Sequence, residues 1–192
     1  MNRAAFLDRD GVLNQKPPEG QYVTRWEELY LLPGAPEAIA LLKASGFKII
    51  VVTNQRCVAK KLITAAELEI LHGRMSAALA KEGATIDAIY YCPHEQEIEP
   101  ICRCRKPQPG MLLEAAHEYN IDLHTSWMIG DSRSDVDAGI NAGCKTVMVS
   151  GKRLSSIADI TAPSLLDAAR QILNLEAESA KPSHKSRSQP AL

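Results

Sequence analysis

The sequence predicts an α/β fold, a doubly wound parallel sheet with helices on both faces. Short β-branched or apolar runs alternate along the chain with segments whose apolar residues recur at helical spacing. That alternation builds parallel sheets covered on both sides. Several of the apolar runs also end abruptly in Asp, Thr-Asn or Gly-Asp. Parallel α/β sheets bind ligands there, beyond the carboxyl ends of their strands.

Residues 4–7 form the first apolar run, a buried strand. Residues 14–33, with Pro17, Pro18, Gly20 and Pro33, carry no period and read as loop. Residues 36–44 are a short helix with Pro36 in its first turn and Gly46 beyond its end. "FKIIVV" at 47–52 is a second strand. Residues 64–81 open on Thr-Ala-Ala-Glu, a capping box, and carry Leu68, Leu71, Met75 and Leu79 on one face. Residues 86–91 are a third strand, 92–109 a proline-rich loop, and 110–119 a helix. A strand at 126–129 runs into Gly130-Asp131, followed by a helix at 136–142, a strand at 146–149 and a last helix at 163–175. One domain over 1–175 is expected, with 176–192 a disordered tail of Ser, Lys, Pro and Gln with little to bury.

The bulk composition narrows the function. In 192 residues, 45% are apolar and 23% charged, and the net charge is -1. No global field favours nucleic acid or an anionic membrane. No apolar stretch approaches the ~18 residues of a spanning helix. The N-terminal apolar segment is too short for a signal peptide and ends in charge. A cytoplasmic monomer acting on a small molecule is expected.

The opening stretch "FLDRDGVLN" places Asp8 and Asp10 at the end of the first strand. Thr53-Asn54, Arg105-Lys106 and Asp131 follow other strands, so loops distant in sequence converge. A bare Asp-x-Asp also reads as a turn or a helix cap. Three carboxylates with two cations, a hydroxyl and an amide read as a site for Mg²⁺ and an anionic phosphoester. In that setting Asp8 attacks phosphorus and binds the metal, and Asp10 shuttles the proton. Gly11 frees the turn between them and the phosphate.

Cys92, His94, Cys102 and Cys104 form a second cluster. Cys₃His is a common closed set for structural Zn²⁺, although these pairs are spaced by a single residue. Reduced thiols without metal are the alternative. A zinc loop at 92–104 would pin Arg105-Lys106 and take no part in the chemistry. Of the other cysteines, Cys144 reads as a small core residue, and Cys57 has no evident role. His72, His117, His124 and His184 read as surface or helix-face residues, and Trp26 and Trp127 as packing.

The stretches "FLDRDGVLN", "VVTNQ", "CRCRKPQPGML" and "MIGDSRSDVDAG" resemble the four motifs of the haloacid dehalogenase superfamily of aspartate-nucleophile phosphatases. Within it the chain looks most like the heptose bisphosphate 7-phosphatase and histidinol-phosphatase family. The resemblance implies a Rossmann-like sheet without a large cap domain. It implies that Asp8 is the nucleophile and Asp10 the general acid/base. Asp8, the Asp10 backbone carbonyl and Asp131 would hold Mg²⁺, with Asp135 supporting. Thr53 and Lys106 would stabilise the phosphoryl group, Asn54, Gln55 and Arg105 would contact the substrate, and Ser132 would flank the metal. The family also carries a Cys-x-His…Cys-x-Cys zinc loop.

One segment departs from the family. Its members usually read Thr-Asn-Gln-Ser-Gly, whereas this chain reads "TNQRCVAKKL", which adds the cation Arg56 to the expected substrate site and replaces glycine by Cys57. The implied activity is a Mg-dependent phosphatase for a small phosphorylated sugar. Histidinol phosphate is the alternative. A polynucleotide 3′-phosphatase is disfavoured by the near-neutral charge.

Overall fold

The computed structural model describes residues 1–95, 102–151 and 157–179. Six strands form a parallel sheet: β1 (Arg3–Leu7), β2 (Phe47–Asn54), β3 (Ala88–Cys92), β4 (Trp127–Gly130), β5 (Lys145–Val149) and β6 (Ile160–Ala162). Their order is β3-β2-β1-β4-β5-β6, so the winding reverses between β1 and β4. Five helices connect and cover them: α1 (Ala35–Ala44), α2 (Ala65–Lys81), α3 (Gly110–Tyr119), α4 (Arg133–Ala142) and α5 (Leu165–Ser179). The doubly wound class is the one the sequence predicts. The longest connection, residues 8–34, is a loop with one short 3-10 turn and not a domain. No helix among the described residues is long and apolar enough to cross a membrane.

Strand alternation splits the core in two. Ala5, Leu7, Ile49, Val51 and Ile129 face α1, α2 and α5, whereas Ala4, Phe6, Ile50, Val52 and Met128 face α3 and α4. Both faces are buried, so these strands read as continuous apolar runs. Ile39 and Leu42 of α1 and Ala168, Ala169 and Ile172 of α5 share the larger core, where the two helices pack together. Thr64 and Glu67 close a reciprocal capping box at the start of α2, as the Thr-Ala-Ala-Glu pattern predicts.

Beyond shifts of one or two residues at other element ends, three features differ from the sequence reading. α4 starts at Arg133, three residues earlier than its apolar period suggests, because Asp135 accepts from the Ser132 backbone at 3.0 Å and closes a second capping box. β6 is absent from the sequence reading: it is a three-residue edge strand, too short to show a period. α5 continues through Ser179, past the expected boundary at 175. Glu176 holds that end in place, pairing with Arg3 and accepting from Trp127 Nε1 at 3.5 Å. The remainder of the expected tail, 180–192, lies outside the described residues.

Leu42 is fully buried between α1 and the sheet, whereas Ile70 on α2 is 62% exposed. Leu42→Ala should lower the unfolding free energy by about 2–5 kcal/mol, the range for a buried leucine. Ile70→Ala should change it by less than ~0.5 kcal/mol. Urea denaturation of both variants checks the contrast.

Candidate active site

Two neighbouring strands deliver the first carboxylates. β1 and β4 pair with Leu7 opposite Ile129, and the Asp8 backbone N–H donates to the Ile129 carbonyl at 2.9 Å. Asp8 and Asp131 therefore leave adjacent strand ends at the reversal of winding, where such sheets open a crevice. Asp135 enters from the first turn of α4. One carboxylate oxygen from each of the three lies within 4.8 Å of the others. Gly11 (φ +91°) makes this crowding possible, since a Cβ there would stand 2.2 Å from Asp131 Oδ2.

Lys106 supplies the buried counter-charge. Its Nζ donates to Asp8 Oδ1 at 2.8 Å and to the Val52 carbonyl at 2.7 Å, and pairs with Asp135 Oδ1 at 2.6 Å. Burial, and then the Asp135 charge, push Asp8 up to about 7, against the pull of Lys106. Asp135 and Asp8 outweigh the effect of burial on Lys106 and hold it above the ordinary lysine range. Asn54 fixes the lysine's backbone: its Oδ1 accepts from Lys106 N at 3.0 Å and its Nδ2 donates to Lys106 O at 3.1 Å. Lys16 reaches Asp131 Oδ2 at 2.7 Å from the 14–33 loop.

Asp10 has different surroundings. Its carboxylate accepts from Arg9 Nε at 3.2 Å and Nη2 at 2.9 Å, from Asn14 Nδ2 at 2.9 Å and from Gln55 Nε2 at 3.0 Å. Against the upward push of burial, Arg9 first and then these hydrogen bonds hold Asp10 below the usual carboxylate range. Gln55 also donates to Thr53 Oγ1 at 2.8 Å, and its carbonyl accepts from the buried Cys57 thiol at 3.5 Å. Cys57 thus helps to orient the Gln55 amide.

A cavity of about 320 Å³ opens over this arrangement. Asp8, Asp10, Thr53, Asn54 and Gln55 line one part of it. Arg105, Lys106, Asp131, Ser132 and Asp135 line another. Arg56, expected to contact substrate, is absent from the lining. Its guanidinium is held instead by Tyr22 Oη at 2.9 Å and by Glu95 at 3.1 Å. Sequence reasoning missed the wall contributed by residues 16–23, a loop with no period to mark it. It also read His72 only as a surface or helix-face residue, and His72 proves to lie on the buried face of α2 with Leu68, Leu71 and Met75. Its spacing of four from Leu68 and three from Met75 was the available signal.

The second cluster is assembled as well. Cys92 Sγ lies 3.1 Å from Cys104 Sγ and 3.5 Å from Cys102 Sγ, and His94 Nδ1 lies 3.3 Å from Cys104 Sγ. Four such donors can hold a metal ion. Residues 96–101 of the expected 92–104 loop lie outside the described residues. α3 abuts the cluster closely: Gly110 N donates to the Arg103 carbonyl at 3.0 Å, and a Cβ on Gly110 would stand 2.2 Å from that oxygen. Arg105 Nη1 donates back to the His94 carbonyl at 3.1 Å. The cluster is thereby tied to the residue preceding Lys106.

Comparisons with known proteins agree with this geometry. Residues 103–178 match a family model described as HAD-hydrolase-like. The chain is 42% identical over 154 residues to the D-glycero-beta-D-manno-heptose-1,7-bisphosphate 7-phosphatase of Pasteurella multocida, covering 78% of this chain and 82% of that one. It is 37% identical over 171 residues to the Escherichia coli K12 enzyme of the same name, covering 85% and 88%. The crystal structure of D,D-heptose 1,7-bisphosphate phosphatase from B. bronchiseptica, complexed with magnesium and phosphate, superposes with a TM-score of 0.80 at 34% identity. That match covers 90% of this chain and 99% of the other. A shared sheet, and sequence identity at this level over most of both chains, make this protein a member of the D-glycero-beta-D-manno-heptose-1,7-bisphosphate 7-phosphatase family of HAD-like hydrolases.

Proposed function

We propose that this chain removes a phosphate from D-glycero-D-manno-heptose 1,7-bisphosphate, or a closely similar small sugar phosphate, through an aspartyl-phosphate on Asp8. The observation that carries the reading is the buried Asp8–Lys106–Asp135 cluster, placed beside Asp131 at the reversal of the sheet. The names of the relatives support the substrate.

The residues present fit a hard divalent cation. The donors are all oxygens, and the Gly11 turn leaves room for Asp131 where a side chain would intrude. Asp8, the Asp10 backbone carbonyl and Asp131 would hold Mg²⁺. Asp135 would support them through Lys106 and Ser132. When bound, Mg²⁺ offsets the charge of the carboxylates and of the phosphoryl oxygens.

The chain's own groups then divide the reaction. An Asp8 carboxylate oxygen attacks phosphorus, the bond from phosphorus to the sugar oxygen breaks, and Asp10 gives the leaving oxygen its proton. The entering phosphate brings the negative charge that raises Asp10's proton affinity, so Asp10 takes up from solvent the proton that it passes to the leaving oxygen. Water next attacks the phosphorus of the aspartyl-phosphate, Asp10 takes its proton, and phosphate departs with Asp8 restored. Lys106 and Thr53 stabilise the transferring group. Asn54, by clamping the Lys106 backbone, and Gln55, by holding Asp10 and Thr53, set their positions. Arg105 meets the distal part of the sugar.

The cysteine cluster suits structural Zn²⁺. Thiolates about 2.3 Å from zinc in a tetrahedron lie roughly 3.8 Å apart, so the sulfurs, now 3.5 and 3.1 Å apart, need to separate by well under an ångström to admit the ion. Four protein ligands leave no position for water, so the ion would order the loop that carries Arg105 and Lys106.

Among phosphorylated metabolites assayed with Mg²⁺, heptose 1,7-bisphosphate should be hydrolysed fastest and histidinol phosphate slowly. Asp8→Asn should reduce turnover by at least ~10³-fold in a folded protein. No release from any small phosphoester would sink the enzyme reading. Asp8, raised to about 7, must shed its proton before the metal binds. Apparent Mg²⁺ affinity should therefore fall roughly fivefold between pH 7 and pH 6 and level off above pH 8. Calorimetric titration at three pH values reads this, and a pH-independent affinity contradicts it. Cys102→Ser should lose zinc by elemental analysis, lower the melting temperature and raise KM. Purified wild-type protein without zinc would refute the metal assignment.

A further inference from the structure

Arg9 stands between the two catalytic aspartates in sequence, and its side chain is fully buried. A guanidinium offers five N–H donors and no acceptor, so each donor it buries needs a partner. Nε and Nη2 lie along the Asp10 carboxylate at 3.2, 3.0 and 2.9 Å. Nη1 points the other way and meets His72 Nε2 at 3.1 Å. His72 lies in the middle of α2, is 4% exposed, and sets its ring edge-on to Tyr91 with centroids 5.8 Å apart. Because arginine can only donate, the His72 Nε2 must present its lone pair. Burial, and then the Arg9 charge, push the His72 pKa down to about 3, so the imidazole stays neutral and accepting at physiological pH.

Every contact in this chain of groups is directional. His72 is fixed by the packing of α2 against the sheet and takes one arm of Arg9. The opposite edge of the guanidinium is then presented flat to Asp10. Without an acceptor at position 72, Nη1 would be buried and unpaired, and the guanidinium would turn to find another partner. Asp10 would turn with it, since Arg9 supplies three of its five side-chain hydrogen bonds.

We infer that His72 is a positioning residue for the acid step: through Arg9 it fixes the Asp10 carboxylate that protonates the leaving oxygen. The inference rests on the proposed role of Asp10. His72 touches neither substrate nor reacting atoms. It lies 63 residues from Arg9 in sequence and belongs to none of the four motifs.

Two substrates separate positioning from mere structural support. A sugar alkoxide needs a proton as it leaves, whereas the p-nitrophenolate of p-nitrophenyl phosphate leaves without one. The ratio kcat/KM reports steps up to the breaking of that bond. His72→Phe keeps a ring and removes the acceptor, and His72→Gln keeps an acceptor. His72→Phe should lower kcat/KM for heptose bisphosphate at least ~10-fold, within the range for general acid catalysis, and change the p-nitrophenyl phosphate value by less than about twofold. His72→Gln should recover most of the loss. If His72→Phe does not fold, His72→Met, flexible and without a strong acceptor, carries the same expectation. Equal losses on both substrates, or no loss on either, overturn the inference. Asp10→Asn is the control for the reading beneath it: if Asp10→Asn also fails to distinguish the substrates, the acid role of Asp10 falls, and the inference with it. If Asp10→Asn distinguishes them and the His72 variants do not, only the inference falls.

Discussion

The Lys106 ammonium, buried between two carboxylates and a backbone carbonyl, is the constraint to which the other parts of the site conform. Three charges removed from water tolerate little displacement, because losing one leaves the others uncompensated. Each partner comes from a different part of the fold: Asp8 from the end of β1, Asp135 from the first turn of α4, and the Val52 carbonyl from β2. The lysine sits on the loop that follows the cysteine cluster. Its backbone is clamped by Asn54 at the last position of β2. Sheet order, helix start and loop anchoring are thus tied together at one nitrogen.

That dependence explains which parts of the molecule the sequence revealed. Strands buried on both faces announce themselves as apolar runs, and their polar terminators mark the crevice, so Asp8, Thr53, Lys106 and Asp131 were legible from position alone. The start of α4 was less so, because Ser132 and Asp135 serve a cap and a charged cluster together, and the apolar period begins only at Val136. Arg56 shows a further limit. Its place in the chain puts it beside the cavity, but a long side chain goes to whichever partners are nearest, here Tyr22 and Glu95. Residues 16–23 form a wall through tertiary contact, with no local pattern to betray it. His72 carried a readable signal in its helical spacing, which the general exposure of histidine outweighed.

The cysteine cluster extends the same logic outward. Between β3 and α3, the described residues 93–95 and 102–109 pack against an apolar core only through Cys102 and Cys104. Without an anchor they could not present Arg105 and Lys106 at fixed positions. Three sulfurs and an imidazole drawn together, with α3 beginning on a glycine against Arg103, give the loop a rigid base at its distal end. The Asn54 clamp fixes the other end, next to the buried lysine.

Asp8 and Asp10 stand one residue apart, yet the fold pushes their proton affinities in opposite directions. Asp8 turns into a site shared with Asp135, where burial and like charge raise it. Asp10 turns toward Arg9, Asn14 and Gln55, which lower it. Paired carboxylates separated in this way are the usual basis for distinct roles in one reaction. In the proposed reaction, an Asp10 kept ionised until phosphate arrives does not compete with Asp8 for a proton. The proposed nucleophile, Asp8, would be freed of its proton by the cations that gather around the substrate. The residue between the two aspartates is what enforces the difference: with its guanidinium fully buried between His72 and Asp10, Arg9 lies along Asp10 and leaves Asp8 to Lys106.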